Sequence, residues 1–126
     1  MTTTKTKVAI DKAEVGGAEV PGATLTLTGK DKDGNAVQFE KGSLTIGEDG
    51  KIVNGTGDSL VWVSGKSATI VNVDDGTYTL HEEVAPDGYE VATDITFTVE
   101  DGKVTVGGKE VEKVVMVDEI VTTTST

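Results

Sequence analysis

Strand alternation would place Lys12, Glu82 and, on one of two readings, Asp118 among apolar residues, and an amine buried with two carboxyls could do covalent chemistry. In Val8-Ala9-Ile10-Asp11-Lys12 the apolar positions are Val8 and Ile10, and the two-residue period of a strand carries Lys12 onto the same face. Tyr78-Thr79-Leu80-His81-Glu82 repeats the pattern, with Tyr78, Leu80 and Glu82 inward and His81 outward. Val114, Val115, Met116 and Val117 are apolar on both faces, so parity leaves Asp118 open between an inward position and a solvated strand end. A dry interior disfavours charged forms. An uncharged amine is a nucleophile and an uncharged carboxyl its electrophile, so such groups could condense to an amide. If the charges survive, the same residues make a buried ion pair, which is a poor stabiliser, or the lysine snorkels to water.

Positioning those side chains is a task for strands. Five Asp-Gly pairs, at Asp33, Asp49, Asp75, Asp87 and Asp101, punctuate short alternating runs, and Asp-Gly favours tight β-turns. The pattern predicts strands near 7–12, 23–28, 36–46, 59–64, 67–73, 77–83, 94–99, 103–106 and 109–118. Ala23, Leu25 and Leu27 alternate with threonines, as do Ile95, Phe97 and Val99, so each such strand has one dry face. Pro86-Asp87-Gly88 after Ala85 fits a type I turn that redirects the chain just past Glu82. The segment 29–58 is the most polar and glycine-rich stretch and reads as an extended surface hairpin. Regular short strands with turns between them point to an all-β sandwich or barrel.

Composition agrees and excludes much else. With 126 residues, 36% of them hydrophobic, the chain suits one domain with one modest core. The net charge of -11 opposes nucleic acid and anionic membrane surfaces. Without cysteine and with a single histidine, neither a disulfide framework nor a thiolate or histidine metal cluster can be built. Asp31-Lys32-Asp33-Gly34-Asn35 has its glycine too early for an EF-hand loop, so no metal site is expected. No apolar run reaches transmembrane length, and residues 1–6 and 121–126 read as Thr-rich linkers flanking a domain at 7–120.

The stretch from Lys7 to Glu119 resembles the Cna protein B-type domain, also called SpaA-like or prealbumin-like, found in pilins and adhesins of Gram-positive bacteria. The residues that carry the resemblance are Ile10-Asp11-Lys12, Val20-Pro21-Gly22-Ala23-Thr24-Leu25-Thr26-Leu27, Trp62-Val63-Ser64-Gly65, Gly76-Thr77-Tyr78-Thr79-Leu80-His81-Glu82 and Ala85-Pro86-Asp87-Gly88-Tyr89. Downstream, Val115-Met116-Val117-Asp118 is similar to the streptococcal fibronectin-binding-protein sub-family, the source of split tag-and-catcher pairs, which uses Asp as acceptor. The resemblance implies a single immunoglobulin-like (prealbumin-like) β-sandwich. It also implies an intramolecular isopeptide bond from Lys12 on the first strand to Asp118 on the last, with Glu82 as catalyst.

That chemistry turns over once, needs no cofactor, and makes the protein a structural stalk module rather than an enzyme. The expected setting is an extracellular, cell-wall-anchored surface protein, monomeric, joined to neighbouring domains of the same chain. Trp62, Tyr78, Tyr89, Phe97 and Met116 are expected in the core, some of them keeping the bond dry. The alternative function is a ligand-binding adhesin module that recognises a host protein or glycan through 29–58.

Overall fold

The computed structural model describes residues 5–47 and 50–119. The chain forms β1 (Thr6–Glu14), β2 (Thr24–Lys30), β3 (Leu44–Thr45), β4 (Lys51–Asn54), β5 (Ser59–Val63), β6 (Thr69–Val73), β7 (Gly76–Val84), β8 (Ile95–Glu100), β9 (Lys103–Val106), β10 (Lys109–Val111) and β11 (Lys113–Asp118). Among the described residues there is no helix. A four-stranded sheet runs β11-β1-β6-β3 and a seven-stranded sheet runs β10-β9-β8-β7-β2-β5-β4. Between them lies one core, which includes Val8 and Ile10 of β1, Leu25 and Leu27 of β2, Leu60 and Trp62 of β5, and Tyr78 and Leu80 of β7. Of the all-β sandwich or barrel expected from short, turn-punctuated strands, the sandwich that the family resemblance implied is the fold.

The first and last strands are neighbours and run parallel, with Ile10 opposite Val114, Lys12 opposite Met116 and Glu14 opposite Asp118. Parallel pairing sets the beginning of β1 at one end of the sandwich and the end of β11 at the other. On the outer face the pair is tied by Lys113 Nζ, 2.7 Å from Asp11 Oδ2.

Turn chemistry accounts for the tightest connections. Asp101 and Gly102 both have positive φ, 52° and 81°, the geometry an Asp-Gly pair offers a two-residue hairpin between β8 and β9. After β7 the turn falls one residue later than expected. Tyr89 N–H donates to the Pro86 carbonyl at 3.0 Å, with Gly88 at the third position and φ 89°, which glycine tolerates without steric cost. Asp31 Oδ1 accepts from the N–H groups of Asp33 and Asn35, both at 2.9 Å, so this carboxylate organises its own turn.

Three expectations need correction. Segment 29–58 is not a hairpin: β3 pairs with β6 in the small sheet and β4 pairs with β5 in the large one. Phe39 and Leu44 anchor it by entering the core, with Val37 and Ile46 packed partly against it, yet of the strand expected over 36–46 only Leu44–Thr45 forms. The run 109–118 breaks at Glu112, giving β10 and β11 to different sheets. Strand β1 takes in Thr6, which was read as linker; residues 1–4 and 120–126 lie outside the described residues.

Candidate functional site

Strand alternation delivers the three groups to one place. On β1 the inward positions Val8, Ile10 and Lys12 are all buried; on β11 so are Val114, Met116 and Asp118. Asp118 therefore faces inward, the parity its own sequence left open. Its Cα lies opposite Glu14, one inward position beyond the partner of Lys12, and the long lysine side chain spans that diagonal. Lys12 Nζ is in direct contact with Asp118 Oδ1. Glu82 comes from the other sheet, at a level of β7 opposite Leu25 of β2, which in turn sits opposite Trp62 of β5. Its Oε2 is 3.5 Å from Lys12 Nζ. The three residues are 2%, 1% and 0% exposed for Lys12, Glu82 and Asp118.

Such burial is costly unless every polar atom is matched. Here Lys12 Nζ, Glu82 Oε2 and both carboxylate oxygens of Asp118 have no hydrogen-bond partner of good geometry. Glu82 Oε1 is the exception, accepting from Ala92 N–H at 2.6 Å. Burial pushes the Glu82 carboxyl up to about 7, with the Asp118 carboxyl beside it acting in the same direction; the Ala92 N–H and the Lys12 charge hold it back. A protonated carboxyl at neutral pH is thus available beside an amine and a second carboxyl, a set able to exchange protons. No group of three or more metal-ligating side chains occurs among the described residues.

The expected apolar surround divides. Trp62 and Met116 are buried in register with the trio, Met116 directly opposite Lys12 and Trp62 one strand beyond the residue facing Glu82. Tyr78 and Phe97 are core but belong to the other end of β7, where their rings stack at 5.6 Å. Tyr89 is not core. It is half-buried at the margin, its hydroxyl donating to Glu14 Oε2 at 2.9 Å, because a phenol on a connecting segment finds a carboxylate more readily than an apolar slot. Sequence reading missed Ala92, whose contribution is a main-chain donor and carries no signal in residue type.

The fold agrees with that of the chain's relatives. Residues 6–113 match the SpaA model, a prealbumin-like fold domain, and the chain belongs to that family. Among solved structures it is similar to the pilus-presented adhesin Spy0125 (Cpa), for example its Cys426Ala mutant, at 33% identity and TM-score 0.61. That match covers 83% of this chain and 20% of the adhesin. The pilus adhesin RrgA from Streptococcus pneumoniae shares the fold at 15% identity and TM-score 0.59, over 94% of this chain and 15% of the adhesin. So does a C-terminal fragment of the pilus adhesin SpaC from Lactobacillus rhamnosus GG, at 17% identity and TM-score 0.56, over 98% of this chain and 48% of that fragment. The chain spans about a fifth of the length of the Spy0125 adhesin. No curated protein matches it.

Proposed function

We propose that this domain is a stalk module of a bacterial surface adhesin or pilus, stapled by a self-formed amide between Lys12 and Asp118 with Glu82 as the catalytic acid and base. The observation that carries the reading is the burial of an amine and two carboxyls in mutual reach, with four of their polar atoms unmatched. Condensation removes the problem that burial creates. The Lys12 nitrogen attacks Cγ of Asp118, forming a C–N bond, and one C–O bond of that carboxyl breaks. Glu82 gives a proton to the departing hydroxyl and takes one from the nitrogen, so water leaves and Glu82 ends as it began. Strands already packed hold the reactants together, which supplies the effective molarity.

The topology gives the bond a mechanical purpose. Tension on modules joined end to end would enter at β1 and leave at β11, and the parallel pair would bear it in shear. An amide from Lys12 to Asp118 carries that load covalently and leaves the intervening chain off the path. The family match and the likeness to pilus adhesins support placement in an extracellular surface protein, next to other domains of the same chain. Recognition of a host ligand through 29–58 has less support, since that segment is woven into both sheets.

Proteolysis and fragment mass mapping test the reading. The peptide containing Lys12 should emerge joined to the one containing Asp118 and one water lighter than their sum. The same peptides should be separate in Glu82→Ala. Separate, unmodified peptides from the natural chain would refute it.

A further inference from the structure

The two oxygens of Glu82 keep different company. Oε1 accepts the Ala92 N–H at 2.6 Å; Oε2 lies 3.5 Å from Lys12 Nζ, buried and without a hydrogen-bond partner. Ala92 belongs to the segment 85–94 that joins β7 to β8, and three further contacts pin this segment down. Tyr89 donates its hydroxyl proton to Glu14 Oε2 at 2.9 Å, Glu90 N–H donates to the Glu119 carbonyl at 2.9 Å, and Asp94 Oδ1 is 2.6 Å from His81 Nδ1. The anchors fall on β1, on the residue after β11, and on β7. Those are the three elements that supply Lys12, Asp118 and Glu82.

An N–H donor selects between the oxygens of a neutral carboxyl. The carbonyl-type oxygen is the better acceptor, so the proton resides on the other. We propose that the main-chain N–H of Ala92, clamped in place by 85–94, is a positioning group for amide formation that reserves Oε1 as an acceptor and makes Oε2 the oxygen through which the proton leaves and returns. The inference rests on the bond-forming reading above and adds a direction to it. Glu82 Oε2 first donates toward Asp118, then receives the proton released by the Lys12 nitrogen; a cyclic exchange through both oxygens is blocked. The sequence pattern around Ala92 needs only to return the chain across the open end, which is why no side chain announces it.

The charged groups that face Glu82 are Lys12 from β1 and Asp118 from β11, while β2 presents Leu25 at that level. Against that background the Ala92 N–H lowers the Glu82 pKa. Removing the donor should therefore slow the reaction and also move the alkaline limb of its pH profile upward, since the protonated acid persists to higher pH.

The test uses the full chain made by chemical synthesis and held in denaturant, so that dilution starts folding and bond formation together at a chosen pH. In one version lactic acid replaces Ala92, turning the donor N–H into an ester oxygen. Loss of one water is followed by mass. The ester chain is expected to react slower by on the order of tenfold to a hundredfold, with its alkaline limb displaced upward. An unchanged rate and profile would overturn the proposal. A natural chain that never loses water would instead remove the bond-forming reading itself. Should the ester chain not fold, Tyr89→Phe decides: the loosened clamp should slow the reaction several-fold and speed hydrogen exchange at Ala92, and equal rates would overturn the clamp.

Discussion

Tyr78 and Glu82 both point inward from β7, four residues apart, and burial raises the pKa of each. At the Tyr78 end the phenol itself is matched. The hydroxyl donates to the Asp74 carbonyl at 2.6 Å, and the ring lies 5.6 Å from Phe97 and 6.2 Å from Phe39. At the Glu82 end Lys12 Nζ, Glu82 Oε2 and both Asp118 oxygens remain unmatched. The comparison teaches that one physical cause, desolvation, has consequences set by the group it acts on. A phenol is already neutral at physiological pH, so raising its pKa changes nothing. A carboxyl raised to about 7 changes protonation state where the protein lives, and becomes an acid.

The contrast is broken most severely at the polar end. Lys12→Ala should keep its full mass and lose about 4 to 5 kcal/mol of stability for the staple alone, read from the denaturant midpoint, because the loop from Lys12 to Asp118 is no longer closed. Glu82→Gln should likewise carry its own full sequence mass, since an amide cannot relay the proton. At the aromatic end Phe97→Ala should cost about 3 to 5 kcal/mol by cavity formation, yet the purified protein should still be one water light. That outcome separates packing from chemistry.

Smaller effects sharpen the picture. Gly29, the second-last residue of β2, lies opposite Tyr78 of β7, and a Cβ there would sit 2.4 Å from the Tyr78 ring. Gly29→Ala should thus cost about 1 to 3 kcal/mol by overpacking, with the thermal midpoint as readout and the protein still one water below its sequence mass. The smallest effect concerns Glu19, whose pKa is raised to about 7 from 4.5, burial first and its hydrogen bond to Asp11 second. The folded state keeps a proton that the unfolded chain releases in that interval. Its share of stability is therefore complete below about 4.5 and lost as pH rises to about 7. Glu19→Gln should remove that part of the slope in a series of thermal melts.

Lys12 and Glu82 were legible because each ends a run whose alternation is unambiguous. Asp118 was not legible from parity, because Val115 and Val117 are apolar yet 40% and 44% exposed on the outer face of an edge strand; only the family resemblance pointed it inward. The all-β class followed from turn spacing, the sandwich rather than a barrel from the family resemblance, and the path of 29–58 from neither. Its fate depends on Phe39 and Leu44 choosing the core, with Val37 and Ile46 packing against it. Ala92 lay beyond any reading of residue types, since a main-chain donor is created by the fold and not by the side chain that happens to stand there.

Intact mass of the purified, fully matured protein tests the central claim most directly. The account predicts a mass one water below that of the sequence in the natural chain, and the full mass in Lys12→Ala, Asp118→Ala and Glu82→Gln. A natural chain carrying its full mass, with the Lys12 amine free to a reagent after denaturation, would contradict it.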